Sequence, residues 1–109
     1  MSVADRLLRF TPRAEQDIRN LLLETRRQWG AEQRTVYRRK LYGAFSVILS
    51  NPEIGRSRED LGPAIRSRLA ERHVIYYEIL PDAILILRVM HIRMHPPSSF
   101  DDLMLEDAD

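Results

Sequence analysis

The sequence predicts an α+β domain in which an N-terminal strand precedes an antiparallel helical hairpin that packs on a small antiparallel sheet of three to four strands. Two observations predict this fold class. Apolar residues recur at helical spacing over residues 12–50, and β-branched and aromatic runs fill residues 66–93. The length of 109 residues suffices for one hydrophobic core, so we expect a single domain.

The stretch 66–93 is the centre of the predicted sheet. Pro81 and Asp82 form a turn signal between two apolar runs, which predicts an antiparallel hairpin. Residues 84–89 are apolar on both alternating faces except at Arg88, a pattern typical of a strand with neighbours on both sides. Arginines and histidines flank this run, so the most buried element also carries basic groups toward the surface.

The residues before this stretch predict a strand and a first helix. Residues 5–10 are apolar enough for a strand. Thr11 provides an N-cap hydroxyl, Pro12 suits the first helical position, and Gly30 ends the helix. The apolar face of the helix consists of Ala14, Ile18, Leu21, Leu22, Thr25 and Trp29.

A second helix follows at once and ends at Asn51-Pro52. Its apolar face consists of Tyr37, Leu41, Ala44, Phe45 and Ile48. Because the connection is short, the two helices must fold back on each other and lie across one face of the sheet. From these patterns we expect a structural core that contains Ile18, Leu22, Trp29, Leu41, Phe45, Tyr76 and Ile86, with Trp29 covering the end of the hairpin.

The chain after Arg93 is expected to differ from the rest. The segment Met94-His95-Pro96-Pro97 cannot extend a central strand, because proline removes a backbone donor. We therefore assign residues 1–94 to the domain and residues 95–109 to a Pro-rich and then acidic tail that is loosely ordered.

Composition limits the classes of function. The absence of cysteine excludes disulfides and thiolate chemistry, and the absence of a long apolar run predicts a cytoplasmic protein without membrane insertion or a signal peptide. His73, His91 and His95 lack the spacing of metal ligands, and no glycine-rich phosphate loop is present. We therefore expect neither a metal nor a cofactor.

The charge is unevenly distributed. The net charge is only +1, but all 17 Arg and Lys lie at or before Arg93, and five of the 16 acids lie in the last nine residues. Residues 1–100 hold 17 basic and 11 acidic side chains, which gives a net charge of +6. A domain with this positive charge can attract an acidic protein partner or nucleic acid, although scattered arginines also increase solubility.

Several short segments, in order and spacing, resemble the ParE branch of the ParE/RelE toxin superfamily. They include Phe10-Thr11-Pro12-Arg13-Ala14, Gln28-Trp29-Gly30, Asn51-Pro52-Glu53-Ile54-Gly55-Arg56, Ile65-Arg66-Ser67, His73-Val74-Ile75-Tyr76-Tyr77 and Leu87-Arg88-Val89-Met90-His91-Ile92-Arg93-Met94. The resemblance covers residues 5–94. It implies a type II toxin that acts on DNA gyrase and is neutralised by a cognate ParD-like antitoxin. The chain departs from the family at Arg93-Met94-His95-Pro96, where members often continue with Arg-Met-Asp.

The alternative function is that of the RelE branch, which shares the fold and cuts messenger RNA on the ribosome. Attack by a 2′-hydroxyl needs a base, an acid, and cations for the phosphate, and His91, Arg66 and Arg68 are the catalytic candidates for this chemistry. RelE-type sites favour lysines, whereas this chain has none after Lys40. A third alternative is a diverged, non-toxic binding module.

Two sets of basic residues are candidates for macromolecular contacts. The target-binding candidates are Arg66, Arg68, Arg72, Arg88, His91 and Arg93. The antitoxin-binding candidates, on helix faces away from the apolar stripes, are Arg26, Arg27, Arg38 and Arg39. A gyrase poison of this kind needs no catalytic residue. Direct contact with nucleic acid, a homo-oligomer and a hetero-oligomer with the antitoxin are all compatible with these surfaces.

Overall fold

The structure is a computed structural model that describes residues 5–105. In chain order the elements are β1 (Leu7–Phe10), α1 (Pro12–Trp29), α2 (Ala31–Ser50), a 3-10 turn (Pro52–Ile54), β2 (Arg56–Ser57), β3 (Ile65–Ala70), β4 (His73–Ile79), β5 (Ala83–His91) and α3 (Phe100–Met104). The five strands form one sheet in the order β1-β5-β4-β3-β2. β1 runs parallel to β5, and every other pair is antiparallel.

The predicted α+β class is confirmed, with five strands in place of three to four. One additional strand arises because residues 66–80 turn back at Glu71 and Arg72, so that Ala70 pairs with His73. Glu71 adopts a positive φ of 56° there, although no glycine, asparagine or proline marks the turn. The other addition is β2, whose two residues pair with β3 at the edge of the sheet.

The helical hairpin follows its local sequence signals. Thr11 Oγ1 accepts a hydrogen bond from the backbone N–H of Ala14 at 2.9 Å, and Pro12 occupies the first helical position. Gly30 separates α1 from α2 with a φ of 93°, which a residue with a side chain rarely adopts. The hairpin lies on one face of the sheet, as predicted.

Two hydrophobic clusters cover the two faces of the sheet. The helix-side cluster contains Ile18, Leu22, Leu41, Phe45 and Ile86, which confirms five of the predicted core residues. The opposite cluster contains the sixth, Tyr76, together with Leu61, Ile65, Leu87, Met90 and Leu103. Within residues 5–105, no helix is long and apolar enough to span a membrane.

Trp29 is exposed, so its predicted place in the core is wrong. Its side chain is 57% accessible, and no residue of α1 after Leu22 is buried. The last two turns of α1 therefore extend past the region where helix and sheet pack together. Helical spacing gives the direction in which Trp29 points, but it does not show where the underlying sheet ends.

The C-terminal segment differs from the expectation of loose order as far as Leu105. Ser99 caps α3 by accepting the backbone N–H of Asp102 at 3.0 Å, and Leu103 is fully buried against the second face of the sheet. The proline-containing residues 95–99 thus lead into an element that completes a core. The acidic end of the predicted tail, residues 106–109, lies outside the described residues.

Candidate functional site

The six predicted target-binding residues lie in three different places. Arg88 is in the interior. Arg66 and Arg68 lie on β3, on the same face as Ala70 of the helix-side core cluster. Arg72, His91 and Arg93 lie at the end of the sheet, where the β3–β4 turn meets the end of β5.

Arg88 is a structural residue and not a surface contact, which corrects its assignment as a target-binding candidate. Its side chain is 2% exposed and forms a bidentate ion pair with Asp17, through Nε to Oδ2 at 2.7 Å and Nη2 to Oδ1 at 3.0 Å. Its Nη1 donates to the Leu103 carbonyl at 2.9 Å. Asp17 Oδ2 also accepts the backbone N–H of Val89 at 3.0 Å. The pair therefore joins α1, β5 and α3.

Arg66 supports the connection between α2 and β2. Its Nη1 donates to the Gly55 carbonyl at 2.7 Å, and the neighbouring Tyr77 hydroxyl accepts the Gly55 N–H at 2.9 Å and donates to the Pro52 carbonyl at 2.5 Å. Burial raises the pKa of Tyr77 above its ordinary value, so the hydroxyl stays protonated and continues to donate. Arg66 is only partly exposed, and its loss would disturb folding as well as any target contact.

A second group of side chains meets at the turn end of the sheet. The Tyr37 hydroxyl accepts the backbone N–H of Arg72 at 3.1 Å and lies 2.6 Å from His73 Nδ1. Because the hydroxyl already accepts a hydrogen bond there, its own proton is free to be donated to a neutral His73. Burial, with contributions from nearby His91 and Arg72, lowers the pKa of His73 to about 4, which keeps the ring neutral at pH 7.

Neither Tyr37 nor His73 was among the predicted site residues. Tyr37 fits the apolar stripe of α2. His73 was considered only as one of three histidines without metal-ligand spacing and as part of the segment that resembles the ParE branch. Their contact joins residues 36 positions apart, through the turn at Glu71 and Arg72, which carries no local sequence signal. The positions of these residues in the fold, and not their spacing, bring the two side chains together.

The three nuclease candidates do not converge. His91 pairs with His73 on β4, whereas Arg68 pairs with Ile75 and Arg66 with Tyr77, two and four residues further along the same strand. At about 3.3 Å per residue these separations are about 7 Å and about 13 Å along the sheet. Arg66 and Arg68 also lie on β3, which β4 separates from His91 on β5. His91 Nδ1 also accepts the backbone N–H of Arg93 at 3.0 Å, which leaves only its Nε2 for other chemistry.

The exposed Trp29 forms part of the surface beside the turn that carries Arg72. The Arg72 guanidinium lies 5.7 Å from the centroid of its ring, within the range of a cation–π contact. Arg26 and Arg27, two of the antitoxin-binding candidates, are exposed in the same last turns of α1. The end of the hairpin thus combines one large aromatic side chain with several cations.

The other antitoxin-binding candidates, Arg38 and Arg39, line a shallow concavity of about 760 Å³ on the outer side of α2. Its remaining walls are Arg34, Thr35, Tyr42, Gly43 and Ser46. Arg38 lies over the Tyr42 ring at 4.6 Å, and a Cβ added to Gly43 would meet no atom within 4 Å. A second concavity of about 330 Å³ is lined by Phe10, Glu15, Ile18, Arg19 and Tyr42. Among residues 5–105, no three His, Asp or Glu side chains are grouped to hold a metal ion.

Comparison with known proteins identifies the family. Residues 8–96 match the family described as the ParE toxin of the type II toxin–antitoxin system parDE. Toxin ParE of Escherichia coli is 32% identical over 103 residues, which is 92% of this chain and 91% of that protein. Toxin ParE1 of Mycobacterium tuberculosis is 29% identical over 86 residues, covering 78% and 88% of the two chains. Toxin ParE1 of Caulobacter vibrioides is 29% identical over 87 residues, covering 80% and 90%.

A solved structure titled "Chromosomal ParDE TA system from P. aeruginosa" has the same fold, with a TM-score of 0.69 and 17% identity over 80% of this chain and 96% of that one. The family match extends from β1 through β5 and includes the helical hairpin. It also includes the Asp17–Arg88 pair and the Tyr37–His73 contact. The chain belongs to the ParE toxin family of type II toxin–antitoxin systems.

Proposed function

We propose that this toxin poisons DNA gyrase in the cytoplasm and that a cognate ParD-like antitoxin neutralises it. The observation that carries the proposal is the family match over residues 8–96, which includes β2 to β5 and all of β1 except Leu7. Poisoning by binding needs a stable, charged surface and no proton transfer. The exposed arginines at the turn end of the sheet supply such a surface.

The concavity on α2 supports an antitoxin contact. Gly43 lies inside a 20-residue helix, where glycine is less favourable than alanine, yet no neighbouring atom requires its small size. A glycine at such a position lets a second backbone approach closely. Arg34, Arg38 and Arg39 surround it and would attract carboxylates. An acidic segment of the antitoxin that becomes helical on binding fits this surface.

The geometry gives less support to the RNA-cleaving alternative. A general base must reach the substrate hydroxyl directly or through one water. His73 is 8% exposed and already holds the Tyr37 hydroxyl, while Arg66 lies about 13 Å along the sheet from the histidines. His91 Nδ1 accepts the Arg93 N–H, so its Nε2 is the nitrogen that a base at this position would have to use.

Controlled expression tests the proposed function. We expect cells that express the parent chain to stop growing and to accumulate gyrase cleavage complexes, with messenger RNA intact. His91→Ala should keep this activity, because no proton transfer is involved; a general acid or base would contribute about 10²–10⁴-fold to a rate. Messenger RNA breaks in cells with the parent chain, absent with His91→Ala, would instead establish the nuclease.

A further inference from the structure

Trp29 and Arg72 form an exposed pair at the end of the helical hairpin. Trp29 is the only tryptophan of the chain, it is more than half exposed, and its ring centroid lies 5.7 Å from the Arg72 guanidinium. Neither of the two concavities described above is lined by these residues, so the pair lies on the surface outside them. Tryptophan and arginine are the residue types most enriched among the few side chains that dominate binding at protein interfaces.

The turn that carries Arg72 is fixed on both sides. Its backbone N–H donates to the Tyr37 hydroxyl at 3.1 Å, and its carbonyl accepts the Ile92 N–H at 2.9 Å. Glu71 has a φ of 56°, which residues with a side chain adopt only at a cost, and its carboxylate lies 3.6 Å from Lys40 Nζ. Contacts to α2 and to Ile92, directly after β5, thus hold a strained turn, and Arg72 is presented with little backbone freedom to lose on binding.

The charge around Trp29 fits an acidic partner. Arg26 and Arg27 lie in the same last turns of α1, where Arg27 is 4.0 Å from Glu24, and Arg72 lies over the ring. The acid of the turn, Glu71, is paired with Lys40. Arg72 lies over one face of the indole, so a base could stack on the opposite face alone and could not be followed by a second base on the Arg72 side.

We propose that Trp29 and Arg72 form a preformed anchor by which the toxin holds its target, entering a cleft with carboxylates at its rim on a folded protein. This inference rests on the proposed function, in which the target is gyrase. A rigid exposed pair suits a partner that already has a cleft, whereas a segment that orders on binding needs a groove such as the concavity on α2.

Purified gyrase and plasmid DNA provide the test. Trp29→Ala and Arg72→Ala should each raise the toxin concentration for half-maximal cleavage complexes by about 30-fold or more, the range of a binding hot spot. The double variant should lose less than the product of the two single losses, because the side chains act as one unit. Leu23→Ala, which shortens another exposed apolar side chain of α1, and Arg56→Ala, which removes an exposed cation at the β2 edge, are the matched controls and should act like the parent chain.

A second measurement avoids substitution altogether. Incorporation of 5-fluorotryptophan labels Trp29 alone, so the chain gives one fluorine resonance. We expect this resonance to shift or broaden when unlabelled gyrase is added. A parent chain that produces no cleavage complexes overturns the proposed function and gyrase as the partner. A parent chain that does produce them, with Trp29→Ala equally active or the resonance unchanged, overturns the anchor alone.

The same label distinguishes protein from nucleic acid. A single-stranded oligonucleotide added to the isolated toxin should leave the Trp29 resonance unchanged. If the oligonucleotide shifts the resonance, and Trp29→Ala weakens oligonucleotide binding as much as it weakens gyrase poisoning, the contact is with DNA and the protein anchor is overturned.

Discussion

Arg88 shows how a single buried charge organises this molecule. Its guanidinium is 2% exposed, and the low-dielectric surroundings make its pairing with Asp17 obligatory. Removal of either partner leaves the other as an uncompensated charge in the interior. Removal of both leaves only a change of shape and some unpaired backbone groups.

Asp17→Asn is therefore expected to lower the free energy of unfolding by about 3–5 kcal/mol, the cost of leaving a buried partner unpaired. The double variant Asp17→Leu/Arg88→Met should be more stable than Asp17→Asn, because no unpaired charge remains. Urea denaturation at pH 7 measures both values. A double variant that is no more stable than Asp17→Asn would contradict the pairing.

His73 should make stability depend on pH between about 4 and about 6.5. Its pKa is about 4 in the folded chain and near 6.5 in the unfolded one, so between these values only the unfolded state takes up the proton. The free energy of unfolding thus falls as the pH decreases through this window, by at most about 3 kcal/mol, and this contribution is fully present above pH 6.5. Tyr37 and His91 contact the ring, and the charges of Arg72 and Asp17 also act on it.

The matched variant is His73→Asn, which keeps an acceptor near the position of Nδ1 but does not titrate. Urea denaturation from pH 4 to pH 7 should show a flatter dependence for this variant than for the parent chain. If the free energy of unfolding depends on pH in the same way for the two proteins, His73 is protonated equally in the folded and unfolded states.

Single residues were predicted well where their signal is local. Thr11, Pro12 and Gly30 have the capping roles that their chemistry predicts. Trp29 was predicted to be buried and is exposed, whereas Arg88 was predicted to be exposed and is buried. Periodicity shows on which face of an element a side chain lies, but not whether another element covers that face. The one available clue to the buried pair was Asp17, a charge within the apolar stripe of α1, together with Arg88, a charge within the apolar run of β5.

At the scale of elements, the connection between α2 and β3 depends on close packing at Gly55. A Cβ at this position would collide with the Tyr77 hydroxyl and would lie 2.9 Å from the Ser67 carbonyl oxygen. The chain passes so near β3 because Arg66 and Tyr77 hold Gly55 by one hydrogen bond each, and Tyr77 donates a further one to the Pro52 carbonyl. Proline and glycine predicted a polar connection here, but not the two-residue strand β2 that results.

Gly55→Ala and Gly43→Ala form a matched pair of substitutions. Gly55→Ala should lower the free energy of unfolding by about 1–3 kcal/mol, because the backbone of β3 cannot move aside. Gly43→Ala should raise it by about 0.5–1 kcal/mol, since the position is helical and open. Thermal unfolding of the two variants and the parent chain shows whether the free energy of unfolding falls for the first variant and rises for the second. Equal effects of the two substitutions would contradict the packing at Gly55.

Elements bounded by turn-forming residues in the sequence were predictable, and elements without such residues at their ends were not. The β4–β5 turn is marked by Pro81 and Asp82, whereas the β3–β4 turn consists of Glu71 and Arg72, which are neutral toward turns. The contacts that stabilise the second turn come from Tyr37, Lys40 and Ile92, all distant in sequence. Local propensity contains no information about such partners.

At the scale of the whole molecule, α3 closes the second face of the sheet. Leu103→Ala should cost about 2–5 kcal/mol, the range for emptying a fully buried leucine site. Leu105→Ala removes a side chain that is 61% exposed and should leave stability nearly unchanged. Urea denaturation of the two variants gives the comparison. Equal urea denaturation midpoints for the two variants would show that the C-terminal segment is loosely ordered, as its prolines and acids predict.

The parallel pairing of β1 with β5 has a kinetic consequence. Thr11, directly after β1, donates to the Leu87 carbonyl 76 residues away, whereas β3, β4 and β5 meet through short turns. Closure of so long a loop costs entropy before the contact contributes, so the β3–β5 meander forms early and β1 docks late. Interactions absent from the folding transition state act on the unfolding rate. The lifetime of the folded toxin is therefore set at its N-terminal strand, by how often β1 leaves the edge of β5.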